Sequence, residues 1–355
     1  MKNYEHVRRE MNERCLDAFY VSSGVNRLYV SGFASSDGVV LITPQHQYFF
    51  TDSRYIEAAS RALPDFRVER TDAENTYNRL IMRAIEAEDI KSLAFEEKSV
   101  SYSDHQTLSG ALPVVLQGAQ SILTDLRAVK SETEIEKMIR AQRIAEEAFE
   151  NTLGVIRPGM TEKEVAAELI YSMLKLGADG LSFDPIVVGG ARSSMPHGVP
   201  TDAEIKTGTF LTMDFGCIKD GYCSDMTRTV AVGGYTDEMR AVYETVLRAQ
   251  ESGIEKAAAG VPGSAVHAAA ADVIGSAGFG AYFGHGFGHG LGLEVHECNS
   301  ASPSDSRELK AGNVISAEPG IYLPGRFGVR IEDVIVIRDG GCENITRTPK
   351  RLLVI

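Results

Sequence analysis

The sequence predicts an α/β (α+β) protein with two domains, at residues 1–125 and 126–355. Its 355 residues are 43% hydrophobic, which is enough for about two domains that each bury a core. In the first third of the chain, runs of aromatic and β-branched residues alternate with segments of helical periodicity. A long amphipathic helix is then expected to open the second domain, whose later strands should pair as hairpins.

Five segments of the first domain are predicted to be strands, and three are predicted to be helices. The predicted strands are 17–23, 38–44, 47–53, 66–70 and 92–97, and the predicted helices are 4–15, 54–63 and 76–87. In the second domain, Ser131 with Glu134 and Thr161 with Glu164 have the spacing of capping boxes. Helices are therefore expected to begin at these two places.

Composition excludes several classes of function. The net charge of −13 argues against a nucleic-acid surface, which needs basic patches. The sequence contains no run of about 18 apolar residues, so a membrane span is not expected. The charged beginning of the chain does not resemble a signal peptide. The five cysteines show no CxxC spacing, which favours a reducing, cytoplasmic environment.

Two acidic residues flank the turn in FLTMDFGCIKDGYCSDMTRTVAV. If Lys219 and Asp220 form the loop, Asp214 lies directly opposite Asp225. If Asp220 and Gly221 form it, which is the favoured type I′ pair, Asp214 faces Thr227 and Asp225 is its diagonal neighbour. Both registers place the two carboxylates on one face, roughly 5–8 Å apart.

A second hairpin, in VISAEPGIYLPGRFGVRIEDVIVI, repeats this arrangement. Glu318 and Glu332 are symmetric about Gly325, so ordinary cross-strand pairing brings them together. Alternation sends Asp333 to the opposite face. Taken alone, the pair resembles charges on an edge strand.

The two hairpins together predict a dinuclear metal site. Four carboxylates balance two divalent cations, and a histidine lies between the hairpins in sequence. Oxygen-rich ligation with one imidazole suits Mn²⁺, Co²⁺ or Zn²⁺. Two such ions, about 3.5–4 Å apart, can bridge a water and lower its pKa to give a hydroxide nucleophile.

The stretch GHGFGHGLGLEVHE, residues 284–297, carries His285, His289 and His296 on a glycine-rich backbone. It is either a loop with solvated histidines or a backbone bent to aim them. Residues seven apart in one straight strand point to opposite faces. A kinked path that passes close to the metals would instead direct both His289 and His296 inward.

Five segments in order resemble the signature of the pita-bread metallopeptidases, which include aminopeptidase P, prolidase, creatinase and methionine aminopeptidase. They are TMDFG, YCSDMTRT, GHGFGHGLGLEVHE, SAEPGIY and VRIED. In the first domain, NRLYVSGF and TDSRY resemble the creatinase-type N-terminal domain. The resemblance implies a creatinase-like α/β domain followed by a pita-bread catalytic domain.

The resemblance also implies roles for individual residues. The implied metal ligands are Asp214, Asp225, His289, Glu318 and Glu332. Asp225 and Glu332 would bridge both ions, and Glu318 would also shuttle the proton of the attacking water. His296 would stabilise the oxyanion, and His197 matches a second active-site histidine. His285 and Arg330 fit positions in the pocket or behind the ligands, and the alternative for His285 is a packed or solvated residue.

Two aromatic residues are candidate walls of a proline pocket. They are Tyr322 in EPGIY and Phe287 in GHGFG, and the alternative for both is an ordinary core position.

The activity implied by the resemblance is cleavage of the bond between an N-terminal residue and proline, as in Xaa-Pro aminopeptidase or Xaa-Pro dipeptidase. Two divalent ions, Mn²⁺ or Co²⁺ and alternatively Zn²⁺, would be the cofactors, and small proline-containing peptides the substrates. A homodimer is implied, in which loop 31–38 would approach the partner's site. The alternatives are a metal-free creatinase, an aminopeptidase without proline specificity, and a non-catalytic binding module.

Overall fold

The computed structural model describes residues 2–355, which divide into two compact units, the first ending at Arg127 and the second beginning at Ala128. This division falls two residues beyond the predicted boundary. The α/β (α+β) class is confirmed, because both units combine helices with sheets. Within residues 2–355, no helix is both long and apolar enough to cross a membrane.

The first unit is a six-stranded mixed sheet with helices. The strand order is β4-β3-β2-β1-β5-β6, and the strands are β1 Ala18–Val21, β2 Val39–Ile42, β3 Gln47–Thr51, β4 Arg67–Arg70, β5 Ser92–Phe95 and β6 Val115–Gly118. The helices are α1 Asn3–Glu13, α2 Gly24–Ser31, α3 Ile56–Ala62, α4 Tyr77–Ala87, α5 Tyr102–Ala111 and α6 Gln120–Ala128. Each predicted strand and helix overlaps an observed one, while β6, α2, α5 and α6 are additional.

Four long helices support the second unit, and they are α7 Glu132–Leu153, α8 Glu162–Lys175, α9 Asp237–Lys256 and α10 Gly263–Ser276. Both predicted capping boxes are confirmed. The Ser131 backbone N–H donates to Glu134 Oε2 at 2.8 Å, and the Thr161 backbone N–H donates to Glu164 Oε2 at 2.7 Å. The pair α7 and α8 shares one hydrophobic core with nearby strands, and α9 and α10 share another.

Thirteen strands make up the sheets of the second unit. They are β7 Gly180–Leu181, β8 Ile186–Gly189, β9 Thr209–Phe215, β10 Cys217–Lys219, β11 Tyr222–Cys223, β12 Met226–Val232, β13 Gly288–Gly290, β14 Glu297–Ala301, β15 Val314–Ala317, β16 Gly320–Leu323, β17 Phe327–Arg330, β18 Asp333–Arg338 and β19 Gly341–Asn344. The sheets that carry the acidic residues have the orders β12-β9-β8 and β14-β13-β15-β18-β19, and β16 pairs with β17.

The first hairpin adopts the second of its two predicted registers. Thr227 is the partner of Asp214 across β9 and β12, so Asp225 is the diagonal neighbour. The turn is formed by Asp220 and Gly221, whose φ angles of 51° and 81° are those of a type I′ turn.

The second hairpin is interrupted where its two glutamates lie. Ala317 pairs with Asp333 below the interruption and Gly320 pairs with Arg330 above it, so Glu318 and Glu332 face each other between two ladders of the same register. Their backbone N–H groups bond elsewhere. That of Glu318 donates to the Phe287 carbonyl at 2.7 Å, and that of Glu332 donates to the Thr227 carbonyl at 3.1 Å. The interruption therefore joins this hairpin to the first hairpin and to the glycine-rich stretch.

Asp333 points away from this interruption, as alternation predicts. It pairs with the buried guanidinium of Arg228 at 2.8 Å and with Lys350 at 3.0 Å. It also accepts a hydrogen bond from Asn344 Nδ2 at 2.6 Å. The Arg228 cation and the Lys350 cation lower the pKa of Asp333 against the opposing effect of its burial.

We predict that Asp333→Ala lowers the free energy of unfolding by about 3–5 kcal/mol, because it leaves Arg228 buried without its carboxylate. Urea denaturation with a chelator present measures this loss. Asp202→Ala is the matched control, because it removes a carboxylate whose side chain is 83% exposed and should change stability by less than about 1 kcal/mol. Equal losses in the two variants would contradict a stabilising buried pair.

Candidate metal centre

Four of the five predicted ligands meet around one imidazole. Asp225, His289 and Glu332 each offer a ligand atom within 4.8 Å of the others. His289 Nε2 lies 3.6 Å from Asp225 Oδ2 and 3.2 Å from Glu318 Oε1. The two hairpins and β13 therefore direct carboxylates and a histidine to one point.

The tautomer of His289 is set by its neighbour in β13. Its Nδ1 lies 3.2 Å from the Gly290 carbonyl oxygen, which can only accept a hydrogen bond, so Nδ1 carries the proton. Burial lowers the pKa of His289, and the ring is neutral. The lone pair of Nε2 consequently faces Asp225 and Glu318, which is the arrangement of a metal-binding imidazole.

Ser316 connects His289 to Glu318. Its hydroxyl accepts from the His289 backbone N–H at 3.0 Å and donates to Glu318 Oε1 at 3.0 Å. A Cβ atom on Gly288 would lie 1.9 Å from the Ser316 carbonyl oxygen. Only glycine at 288 therefore allows β13 to approach β15 closely enough for this contact.

Asp214, the fifth predicted ligand, is held by Arg330. Arg330 Nη2 donates to Asp214 Oδ2 at 2.5 Å, and Nε donates to the Thr227 hydroxyl at 3.0 Å. Thr227 in turn donates to Glu332 Oε2 at 2.8 Å. One buried cation thus positions two carboxylates from different hairpins, Asp214 directly and Glu332 through Thr227.

Three buried carboxylate oxygens of this cluster find no hydrogen-bond donor within residues 2–355, namely Asp214 Oδ1, Asp225 Oδ1 and Glu332 Oε1. Buried polar atoms are normally paired, since an unmade hydrogen bond costs about 1–3 kcal/mol. Carboxylate oxygens beside a neutral imidazole are the donor set of divalent cations such as Mn²⁺, Co²⁺ and Zn²⁺. The residues present therefore fit a metal.

The carboxylates repel each other in this buried setting. Burial, followed by the nearby carboxylates Asp214 and Glu318, raises the pKa of Asp225 well above its ordinary value. Burial, Asp225 and Glu318 do the same for Glu332. Burial raises the pKa of Glu318 to about 7, although the Arg330 cation opposes the shift.

The other histidines surround this cluster. The His296 ring lies 4.3 Å from the His289 ring, edge to face at 70°, and burial lowers its pKa. His285 donates from Nδ1 to the Gly286 carbonyl at 2.8 Å, and its Nε2 lies 3.0 Å from the Tyr322 hydroxyl. Burial and the Arg330 cation lower the pKa of His285 to about 4.

The carboxylates, the histidines and Arg330 of this cluster open onto one cavity of about 550 Å³, whereas Thr227, Ser316 and Tyr322 are not on its described wall. Its predicted wall residues are His197, Asp214, Asp225, His285, His289, His296, Glu318, Arg330 and Glu332. Residues that the sequence did not single out complete the wall, namely Phe183, Asp184, Ile186, Pro196, Val199, Gly286, Gly288, Val295 and Ser302. A cavity of this size, part apolar and part charged, can hold a small peptide.

Two predicted wall residues lie behind the cavity. Tyr322 accepts from Arg330 Nη1 at 2.9 Å and contacts His285, so it supports these two side chains and is not on the described wall. Phe287 belongs to the hydrophobic core, where a Cβ atom on Gly253 would lie 2.2 Å from its ring.

Four glycines of this stretch, Gly286, Gly288, Gly290 and Gly292, act by close packing, which corrects part of the sequence interpretation. None of them is among the positive-φ positions of the described chain. A Cβ atom on Gly290 would lie 2.3 Å from the Cys298 carbonyl oxygen. The change of direction between His289 and His296 comes from a bulge after His289, beyond which Gly290 pairs with Glu297 and residues 291–296 loop outward.

Sequence reasoning did not identify Thr227 and Ser316 as parts of the site. The Ser316 hydroxyl connects the ligands His289 and Glu318, and the Thr227 hydroxyl connects the ligand Glu332 to Arg330. The predicted hairpin could have pointed to Thr227, because the type I′ register places it opposite Asp214. No sequence pattern points to Ser316, since its contact with His289 joins residues 27 positions apart.

An imidazole and carboxylate oxygens without donors, on the wall of one cavity, are the groups that a metal-dependent hydrolase would need. Comparison with known proteins identifies the family. The chain belongs to metallopeptidase family M24, whose model matches residues 136–339, and the creatinase/prolidase N-terminal domain matches residues 4–129. The chain is accordingly a metallopeptidase, a hydrolase of peptide bonds.

Individual relatives resemble the chain over nearly its whole length. A structure described as an Xaa-Pro dipeptidase from Bacillus anthracis is 38% identical, with a TM-score of 0.95 over 99% of both chains. An X-Pro aminopeptidase from Thermotoga maritima is 39% identical, with a TM-score of 0.92 over 97% of this chain and 99% of its own. An uncharacterized peptidase of Bacillus subtilis is 39% identical over 99% of both.

We predict that Mn²⁺ raises the melting temperature more at pH 8 than at pH 5.5. Carboxyls whose pKa is raised in the fold stabilise it while protonated. For Glu318 this contribution is lost as pH rises from about 4.5, its ordinary pKa, toward about 7, its raised pKa in the fold. A bound cation replaces the lost protons, so its benefit grows over this interval. Thermal melts with and without Mn²⁺ measure it.

Glu332→Ala provides the control, because it removes one of the three unpaired oxygens and should reduce the Mn²⁺-induced shift at both pH values. An equal shift at pH 5.5 and pH 8, or a shift that Glu332→Ala leaves intact, would contradict metal binding by this cluster.

Proposed function

We propose that the protein binds two divalent metal ions at Asp214, Asp225, His289, Glu318 and Glu332 and cleaves the bond between an N-terminal residue and proline. The observation that carries the metal assignment is the set of three unpaired carboxylate oxygens beside the neutral His289. The proline assignment is supported by the relatives described as Xaa-Pro dipeptidase and X-Pro aminopeptidase. Mn²⁺ or Co²⁺ is the preferred metal, with Zn²⁺ as the alternative.

Two bound cations would supply Lewis acidity and lower the pKa of the attacking water. The residues of the chain supply the rest. Glu318, whose carboxylate lies beside the metal-binding nitrogen of His289, accepts the proton of that water and passes it to the leaving amine. His296 and His197 face the same cavity and donate to the oxygen that becomes negative as the carbonyl is attacked.

Arg330 has an electrostatic role that does not require substrate contact. Its guanidinium fixes Oδ2 of Asp214 and leaves Oδ1 free for a metal. It also donates to Tyr322, whose hydroxyl contacts His285. Arg330 therefore couples the geometry of a ligand to one histidine wall of the cavity.

The specificity for proline has a physical basis in the apolar part of the wall. Phe183, Ile186 and Val295 line the cavity together with the charged cluster. An X–Pro amide has no N–H group, so it needs no acceptor there. A secondary amide would leave its N–H unpaired at about 1–3 kcal/mol, a discrimination of about 5- to 150-fold.

We leave dipeptidase and aminopeptidase P as two forms of the same proposal, since relatives of both descriptions match the chain. Cleavage of an Xaa-Pro dipeptide alone would indicate the former, and cleavage of a longer Xaa-Pro-Yaa peptide would indicate the latter. A homodimer and a cytoplasmic location complete the proposal, and sedimentation of the purified protein tests the dimer.

Ala-Pro should be hydrolysed with a kcat/KM at least about 5-fold higher than that of Ala-Ala, because only the latter has an amide N–H to bury. Steady-state kinetics of the two dipeptides with Mn²⁺ or Co²⁺ measures the ratio. Equal values would replace the proposal with a peptidase without proline specificity.

His296→Ala should lower kcat by about 10²–10³-fold, which is the usual loss when one oxyanion donor is removed. The metal content should stay close to that of the unmodified protein, because His296 is outside the five-ligand set. Kinetics combined with elemental analysis tests both statements. A variant that purifies without metal would make His296 a ligand and reassign both neighbouring histidines.

A further inference from the structure

The two proposed oxyanion donors are held differently from the proposed metal ligands. Asp214 and His289 lie in paired strands and the other ligands lie directly beside them, whereas His197 lies outside the strands and His296 ends the loop that leads into β14. We define the first loop as residues 190–200, which begins with a short 3₁₀ helix at Gly190–Ser194 and follows β8, and the second loop as residues 291–296, between β13 and β14. Something other than a strand ladder must fix these two histidines.

A buried glutamate closes the first loop. Glu162, the first residue of α8, is 1% exposed. Its carboxylate accepts from the backbone N–H of Gly189, just before the loop, and of Thr201, just after it, both at 2.9 Å. Arg192, within the loop, donates from Nε to both carboxylate oxygens at 3.0 Å and from Nη2 to the Val199 carbonyl at 2.7 Å.

A second buried glutamate supports the second loop. Glu297 Oε1 accepts from the backbone N–H of Leu293 at 2.9 Å and of Glu294 at 3.3 Å. Glu297 Oε2 accepts from Lys130 Nζ at 3.0 Å, and the two side chains are 3% and 2% exposed. A Cβ atom on Gly292 would lie 2.8 Å from this carboxylate, so the loop packs directly on it.

We propose that Glu162 and Glu297 are positioning residues, and that each orients the single histidine carried by the loop it holds. Glu162 acts through His197, and Glu297 acts through His296. The proposal rests on the proposed function where it gives these histidines a part in the reaction. Neither glutamate lies on the described wall of the cavity, so neither is a catalytic residue.

The chemistry of the clamp explains why a carboxylate is used. Loop N–H groups need acceptors when they are buried, and hydrogen bonds to a charged oxygen are about twice as strong as neutral ones. A buried carboxylate requires a cation, which Arg192 and Lys130 provide. Glutamine has the same shape but turns an NH₂ group toward N–H donors and a cation, so Glu→Gln should loosen the loop. A displacement of about 1 Å at a reacting group can lower the rate about 10²-fold.

Glu162→Gln and Glu297→Gln should each lower kcat by about 10- to 100-fold, change KM less, and leave the metal content unchanged. Glu146→Gln is the matched control. Glu146 is also buried in this unit, pairs with Arg143, and accepts from the backbone N–H groups of Arg347 and Thr348. The segment it holds carries no cavity residue, so activity should not change.

Double-variant cycles test which histidine each glutamate serves. When His296→Ala is already present, adding Glu297→Gln should lower kcat by less than a further factor of about 2, which is within the scatter of additivity. Glu162→Gln should keep its full effect in that background. With His197→Ala the pattern should reverse. Lys130→Met combined with Glu297→Gln provides a second variant without an unpaired buried cation, should the single change prevent folding.

The proposal is overturned if each glutamine variant loses the same factor whichever histidine is absent, or if Glu146→Gln loses as much as the others. A readout without substrate separates this from failure of the proposed function. The measurement uses protein labelled with ¹³C at histidine Cε1. Glu297→Gln should shift the His296 resonance and not that of His197, whereas Glu162→Gln should shift the His197 resonance and not that of His296. These shifts are expected whichever dipeptide the enzyme cleaves, and their absence would also overturn the proposal.

Discussion

Keeping four carboxylates close to one imidazole, away from water, is the constraint on which the second unit depends. Burial raises the pKa of Asp225 and of Glu332, and repulsion from the neighbouring carboxylates raises both pKa values further. Arg330 is the one cation paired with the cluster within residues 2–355, and it contacts Asp214. Arg330 leaves part of the negative charge of the carboxylates unbalanced, and a divalent cation would neutralise it. The second unit is therefore suited to a bound cation at this point.

The same constraint accounts for the irregular strands. A continuous ladder would use the backbone N–H groups of Glu318 and Glu332 within their own hairpin. The ladder instead stops at both residues, and these groups bond to Phe287 and Thr227 of other elements. Each glutamate is thus fixed by a neighbouring segment while its side chain faces the cavity, which local pairing alone could not achieve.

Much of this arrangement could be predicted because it follows from short-range rules. Strand alternation and hairpin symmetry place Asp214 near Asp225 and Glu318 opposite Glu332, and the capping boxes mark the starts of α7 and α8. The contact between Arg330 and Asp214 joins residues 116 positions apart, and no periodicity encodes it. For the same reason the sequence assigned Tyr322 to the cavity wall, since it could not show that Arg330 and His285 stand in front of it.

A division of labour follows between strands and loops. The proposed ligands lie in strands or at interruptions of strand ladders whose backbone bonds to neighbouring elements. Histidines that meet a substrate need access to the cavity, and loops provide it at the expense of rigidity. Holding such a loop with a buried, neutralised carboxylate restores rigidity without covering the histidine, because the clamp acts on the backbone from behind. Glu162 and Glu297 both hold a loop in this way, on two segments that are far apart in the sequence.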